Sequence, residues 1–176
     1  DAKGNIITDS NGNEIVAEAA AVIIEPSTGY VVGAVGQLGE KTTARGLNRI
    51  NSPRQTGSSI KPLSDVLPGI EEGIITPATI YLDTRTTFGG TWTPKNYNRY
   101  TGKRTVRSAL TTSQNIPFIK IQAELTPQKG IEYLKKMGVS TLDDEKDNNL
   151  ASVAIGGFTY GISPLEMAAA YAMISN

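Results

Sequence analysis

Residues 19–35, AAAVIIEPSTGYVVGAV, constrain the fold more than any other stretch. Two short runs dense in Ala, Val and Ile flank Pro-Ser-Thr-Gly. Proline presets φ for a turn and glycine supplies a positive φ, so the four residues reverse the chain. The spacing predicts two strands, Ala19–Ile24 and Tyr30–Val35, joined as a hairpin. Their near-continuous apolar character predicts burial on both faces. Such a pair needs partners: further strands beside it and packed layers above and below.

The rest of the chain reads as punctuated helices. Residues 1–18 form a Gly-, Asn- and Asp-rich lead-in, expected to be an extended linker with turns. Within it DSNGNE spaces Asp9, Asn11 and Asn13 like a calcium loop, but Glu14 stands where glycine is required and Ala20 where a bidentate Glu belongs. A plain turn is expected. The segment IKPLSDVLPGIEEG starts as a helix, and Pro68 with Gly69 is expected to end it. Residues 76–104, with Arg, Lys and Tyr interleaved, read as a long loop, and no motif supports a nucleic-acid surface. TVRSALTTSQNIPFIKIQAEL has helical apolar spacing on both sides of a polar break at TSQN. Thr126 as N-cap, Pro127 after it and Gly138 past the end frame the next helix. LDDEKDNN is expected to be a solvated loop. Ser163, Pro164 and Glu166 make a capping box for SPLEMAAAYAMIS, which gives Glu166 a structural role.

Composition limits the chemistry. The chain has no histidine and no cysteine, so a Ser-His-Asp or Cys-His mechanism is excluded and a zinc site is disfavoured. An acid–base enzyme built from these residues must use Lys, Tyr, Asp or Glu as its base. Seventeen basic side chains cancel seventeen acidic ones, so no global field draws nucleic acid or an anionic membrane. With 39% hydrophobic and 19% charged residues the chain suits one globular domain, and its apolar runs are too short to cross a bilayer.

Within RQTGSSIKP, residues 54–62, Ser58 and Lys61 stand three apart. On a helix they share a face, and a neutral lysine amine can activate a serine hydroxyl. Gly57 lets the chain enter the helix tightly and leaves the Ser58 N–H free to donate toward an oxyanion. With 12 serines and 10 lysines in 176 positions, about 0.7 such pairs arise by chance. Alone, the tetrapeptide is better read as a surface helix start with an N-cap serine. A second element follows: Ser113 and Asn115, two apart in the TSQN break, can offer a hydroxyl relay and a peptide-binding amide. S-x-x-K at a helix start, then S-x-N between two helices, is the combination that carries weight.

These residues sit in longer segments that resemble the transpeptidase domain of class A (bifunctional) penicillin-binding proteins. The likeness runs through AAAVIIEPSTGYVVGAVG, LNRI…RQTGSSIKPL, GIITPATIYLD, TPKNYNRYTGKRTVRSALTTSQNIPFIKI and AIGGFTYGISPLEMAAAYA. It implies an α+β fold over residues 19–176, an antiparallel sheet flanked by helices and packed on an all-helical subdomain. It implies a D,D-transpeptidase that cross-links peptidoglycan stem peptides ending in D-Ala-D-Ala, acylated by β-lactams and needing no metal or cofactor. Ser58 would be the nucleophile, Lys61 the base, Ser113 a proton relay and Asn115 a substrate-binding amide. A β-lactamase or carboxypeptidase, a β-lactam-binding sensor and a catalytically silent scaffold of cell-wall synthesis are the alternatives. The compartment would be extracytoplasmic, in a membrane-anchored parent protein. One departure matters: the family's Lys-Thr-Gly strand is absent from the 176 residues. The expectation is therefore that this chain is the N-terminal part of the domain. A second polypeptide or C-terminal segment carrying that strand would dock against Ala19–Val35.

Overall fold

The computed structural model describes residues 5–12, 14, 18–38 and 46–176. Residues 1–4, 13 and 15–17 of the expected lead-in, and 39–45 of the polar stretch after the hairpin, lie outside the described residues. The turn in DSNGNE forms, Gly12 N–H donating to the Asp9 carbonyl at 3.1 Å while Thr8 bridges to Glu14.

The hairpin forms as expected. Strands β1, Ala21–Glu25, and β2, Tyr30–Val35, pair antiparallel with Ala21 opposite Val35 and Glu25 opposite Tyr30. Its turn is closed by Gly29, at φ +72°, whose N–H donates to the Glu25 carbonyl at 2.8 Å. The expected burial on both faces is not found. Ile23 is 62% exposed, Tyr30 72% and Val32 63%. The last helix lies against β1, and the described residues supply no second cover. An apolar run shows that a strand suits a covered surface, not that the same residues provide the cover.

From Gly57 the chain is helical through Glu71: a 3₁₀ turn over Gly57–Ile60, a π-helical turn over Pro62–Val66, and α1 over Leu67–Glu71. The expected stop at Pro68–Gly69 does not occur. The Leu67 N–H donates five residues back, to the Pro62 carbonyl. This widened turn admits Pro68, which has no N–H to place, into the first turn of α1. Gly69 serves packing instead, since a Cβ there would lie 2.8 Å from Ile75 Cδ1.

Residues 76–104 also differ from expectation. Strand β3, Ile80–Asp83, pairs antiparallel with β4, Gly102–Thr105, Ile80 facing Thr105 and Asp83 facing Gly102. β4 reads GKRT, whose composition carries no strand signal. The helices that follow are α2, Val106–Thr111; α3, Asn115–Leu125; α4, Pro127–Lys136; α5, Leu150–Ile155; and α6, Pro164–Ser175. Thr126 caps α4 by accepting from the Lys129 N–H, and Gly138 takes φ +90° beyond its end. The Ser163–Glu166 capping box opens α6 as predicted, and Glu166 also accepts from the N–H and hydroxyl of Ser140. LDDEKDNN is not wholly solvated. Asp147 is fully buried, accepting from the Asp143 N–H and from both donors of Thr159.

Two apolar clusters hold these elements. One gathers Ile60, Leu63, Leu134, Val153, Phe158 and Ile162; the other gathers Tyr81, Val106, Ala109, Phe118, Ile121 and Leu125. Lys61 stands between Ile60 and the Pro62–Leu63 turn of the first cluster, and its ammonium lies 5.2 Å above the Phe118 ring of the second. The seam between the cores is therefore where the polar chemistry collects.

Candidate active site

Helix α2 ends in a way that builds half of the site. The Ser113 N–H donates to the Leu110 carbonyl and the Gln114 N–H to the Ala109 carbonyl, both at 3.0 Å. This paired closure forces Ser113 into the left-handed region, at φ +53°, where glycine is the usual occupant. The Ser113 carbonyl is left without a helical partner, because Pro117, four residues on, has no N–H; it and the carbonyl of Gln114, the N-cap of α3, both face Lys61.

Four oxygens lie within hydrogen-bond reach of the three ammonium hydrogens of Lys61 Nζ: the Ser113 carbonyl at 3.1 Å, the Ser113 hydroxyl at 3.3 Å, the Gln114 carbonyl at 3.2 Å and Asn115 Oδ1 at 2.8 Å. Its side chain is among the largest fully buried in the molecule. Burial lowers its pKa from 10.5 to about 8, with Asp65 pulling the other way. Roughly a tenth of the amine is then unprotonated at pH 7. Asn115 is fixed from three sides: Oδ1 accepts from Lys61, Nδ2 donates to the Lys95 carbonyl at 2.8 Å, and its N–H donates to Asn96 Oδ1 at 2.7 Å. An ammonium on one side and a carbonyl on the other admit only one orientation of the Asn115 amide, Oδ1 toward Lys61 and Nδ2 toward Lys95. A second Nδ2 hydrogen remains for another acceptor.

Ser58 is exposed on the 3₁₀ turn, whose first residue, Gly57, has φ +52°. The turn is clamped from the C-terminal part of the chain. The Gly57 N–H donates to the Gly156 carbonyl at 3.4 Å, and the Tyr171 hydroxyl donates to the Ser59 carbonyl at 2.6 Å. Gln55 Nε2 donates to the Phe158 carbonyl, and Arg54 exchanges two backbone hydrogen bonds with Ile162. Gly156, at φ +77°, is indispensable to this contact, because any Cβ would run into the Gly57 backbone and the Thr56 side chain. Of the four residues singled out from sequence, the structure brings Lys61, Ser113 and Asn115 into direct contact. Ser58 lies one turn before Lys61, and none of the hydrogen bonds of Lys61 Nζ reaches it.

Sequence reasoning passed over two supports of this site. Asp65, four residues after Lys61, is wholly buried, with Oδ2 accepting from the Ser64 hydroxyl at 3.3 Å and Oδ1 unpartnered. Burial pushes its carboxyl well above the usual carboxylate range, against the opposing pull of the Lys61 charge. The signal was available: an acid inside the apolar run IKPLSDVLPG, one helical turn from the lysine. Asn96 is the other. It is 8% exposed, holds Asn115 by its Oδ1 and donates to Asp83 Oδ1 at 2.7 Å.

The site can offer an exposed hydroxyl at a helix start, a buried amine able to exist without its proton, and a second hydroxyl within reach of that amine. Comparison with known proteins gives the same direction. Residues 19–176 match the penicillin binding protein transpeptidase domain. Penicillin-binding protein 1F of Bacillus subtilis is 38% identical over 91% of this chain and 21% of its own length. Penicillin-binding protein 4 of the same organism is 35% identical over 90% of this chain and 25% of its own length. Among solved structures, penicillin-binding protein 1A from Haemophilus influenzae superimposes with a TM-score of 0.76 at 27% identity, covering 97% of this chain and 26% of that one. The chain thus spans about a fifth to a quarter of the length of these relatives. Its α+β fold, a helical body with two antiparallel strand pairs, is part of the transpeptidase fold of those proteins. By the match over residues 19–176 and by the S-x-x-K and S-x-N segments that its seam brings together, this chain belongs to the transpeptidase domain family of penicillin-binding proteins.

Proposed function

We propose that this chain carries the acylating half of a D,D-transpeptidase acting on peptidoglycan stem peptides. The Ser58 hydroxyl gives its proton to the neutral Lys61 amine as Oγ bonds to the penultimate D-Ala carbonyl carbon. The C–N bond to the terminal D-Ala then breaks, and its nitrogen takes a proton from Lys61 through the Ser113 hydroxyl. The Asn115 amide holds a peptide group of the donor strand. An amine of a second strand displaces Oγ, forming the cross-link and returning the proton to Ser58. A β-lactam acylates the same oxygen, because its strained amide presents the same carbonyl. The Ser58 N–H, near the helix start, is one oxyanion donor.

One arrangement carries this reading: a fully buried lysine whose pKa falls to about 8, in contact with the Ser113 hydroxyl and the Asn115 amide, one turn after an exposed serine. The reading also assigns a cover for the exposed strand pair, namely a C-terminal segment or second polypeptide bearing a Lys-Thr-Gly strand. The setting would be the outer face of a bacterial membrane, with an anchor elsewhere in the parent protein. Among the described residues no helix is long and apolar enough to cross a membrane.

The test is mass spectrometry of the protein that carries this chain after reaction with a labelled penicillin. A single adduct on the peptide bearing Ser58 is expected, absent in Ser58→Ala while the fold is kept. Labelling that persists in Ser58→Ala, or that falls on Ser59, would remove Ser58 from the nucleophile's role. A wild-type protein that takes no label would support the silent-scaffold alternative.

A further inference from the structure

Between Asp83 and Glu124 the chain carries seven Lys and Arg residues and no acid, although the whole chain is electrically neutral. Three of these cations, Arg85, Lys95 and Arg99, line one surface cavity of about 460 Å³ together with Asn96, Asn98 and Tyr100. None of the three forms an ion pair among the described residues. The acid nearest in sequence, Asp83, is turned inward. Its two oxygens accept from Asn96 Nδ2 and from the N–H and hydroxyl of Thr101, and it is fully buried. The cavity wall is therefore cationic and uncompensated.

Its position gives that charge a use. The Lys95 carbonyl accepts from Asn115 Nδ2, and Asn96 Oδ1 accepts from the Asn115 N–H. Two consecutive residues of the cavity wall thus grip Asn115, one by its side-chain amide and one by its main-chain N–H, and that side-chain amide also touches Lys61. A ligand strand held at Asn115 has the cavity beside it. The chain around it is rigidly tied, by Asn96 to Asp83 and by the β3–β4 pairing at Asp83 and Gly102.

We propose that this cavity is a second subsite that binds a carboxylate carried on the peptide strand, apart from the one at its C-terminus. The proposal rests on the transpeptidase reading above. Two guanidinium groups, planar and always charged, suit bidentate carboxylate recognition, and Lys95 adds a point charge. The cavity volume falls within the range of small-ligand sites and accommodates a side chain, not a polymer. The cations converge on one concavity instead of forming a track, and the chain's zero net charge supplies no long-range pull on a polyanion. These features favour a carboxylated peptide over a nucleic acid.

The experiment uses the protein that carries this chain with Ser58→Ala, so that bound peptide is not turned over. Two synthetic peptides ending in D-Ala-D-Ala are compared by calorimetry, identical except for a side-chain carboxylate in one and its primary amide in the other. The carboxylate form is expected to bind about tenfold more tightly, the scale of a charge-assisted contact, with the advantage shrinking as salt is raised. In Ser58→Ala carrying Arg85→Ala and Arg99→Ala, the advantage of the carboxylate form disappears while binding of the amide form stays measurable. Far-ultraviolet dichroism and the melting curve check that the triple variant is folded. Equal binding of the two peptides, or an advantage that survives in the triple variant, overturns the subsite. Tighter binding of a single-stranded oligonucleotide than of the carboxylated peptide overturns it in favour of a nucleic-acid surface. Failure of penicillin to label the wild-type protein counts against the transpeptidase reading, and the peptide comparison still decides whether the cavity binds carboxylate.

Discussion

A buried lysine has to lose a proton before it can take one. Because Lys61 is held at about 8, acylation by a penicillin is expected to rise from pH 6, pass its midpoint near pH 8 and level off above about pH 9. Rates of label incorporation across that range check this, and a flat profile would show that another group accepts the proton. Lys61→Arg keeps the charge but offers no neutral amine, and should slow acylation by about 10²–10⁴-fold. Stability responds to the same group. The unfolded chain binds the Lys61 proton up to about 10.5 and the native one only to about 8, so this residue makes stability rise with pH through that window. Asp65 acts in the opposite sense. Its native carboxyl keeps a proton that the unfolded chain releases above about 3.8, so its contribution falls as pH climbs past that value. The spacing of Ser58 and Lys61 was legible because helical residues three apart share a face. That Lys61 would spend its hydrogen bonds on the carbonyls of Ser113 and Gln114 was not. Those carbonyls meet the ammonium where α2 closes on a left-handed serine, a backbone choice that side-chain patterns do not report.

At the scale of elements, the site depends on how closely two backbones meet. Gly156 ends α5 and presses on Gly57, leaving no room for a methyl group. Gly156→Ala should destabilise the protein by about 1–3 kcal/mol, from its positive φ and the displaced turn. It should also slow penicillin labelling of the fraction that remains folded. Thermal melting and labelling on the same samples check the two effects, and a variant that melts and labels normally would show the contact to be slack. Helix boundaries were the readable part here. Thr126 with Pro127, and Ser163 with Pro164 and Glu166, satisfy orphan N–H groups by local chemistry that any sequence displays. β3 and β4 were hidden because pairing between IYLD and GKRT is decided by long-range contacts. Pro68 misled for a related reason, since a π-helical turn just before it removes the usual penalty.

At the scale of the molecule, the hairpin's apolar run announced a covered sheet, while the described residues cover it on the α6 side alone. Hydrophobicity specifies a need, and only the three-dimensional arrangement says who meets it. The two apolar clusters raise a different matter. Ser58 and Lys61 ride with the cluster of Ile60, Leu63 and Leu134, whereas Ser113 and Asn115 are joined by α2 and α3 to the cluster of Ala109, Phe118 and Leu125. Leu134→Ala and Leu125→Ala each remove a buried side chain and should cost about 2–5 kcal/mol. Either change should also lower the acylation rate per folded molecule several-fold, measured well below the melting temperature. An unchanged rate would mean that the cores move as one piece. If they do not, the site behaves as the closing line of a vice, whose grip depends on how truly two separately machined jaws meet. Each core could then drift in sequence on its own terms only so long as the other followed it, and catalytic alignment would be inherited as a relation between halves that neither half possesses alone.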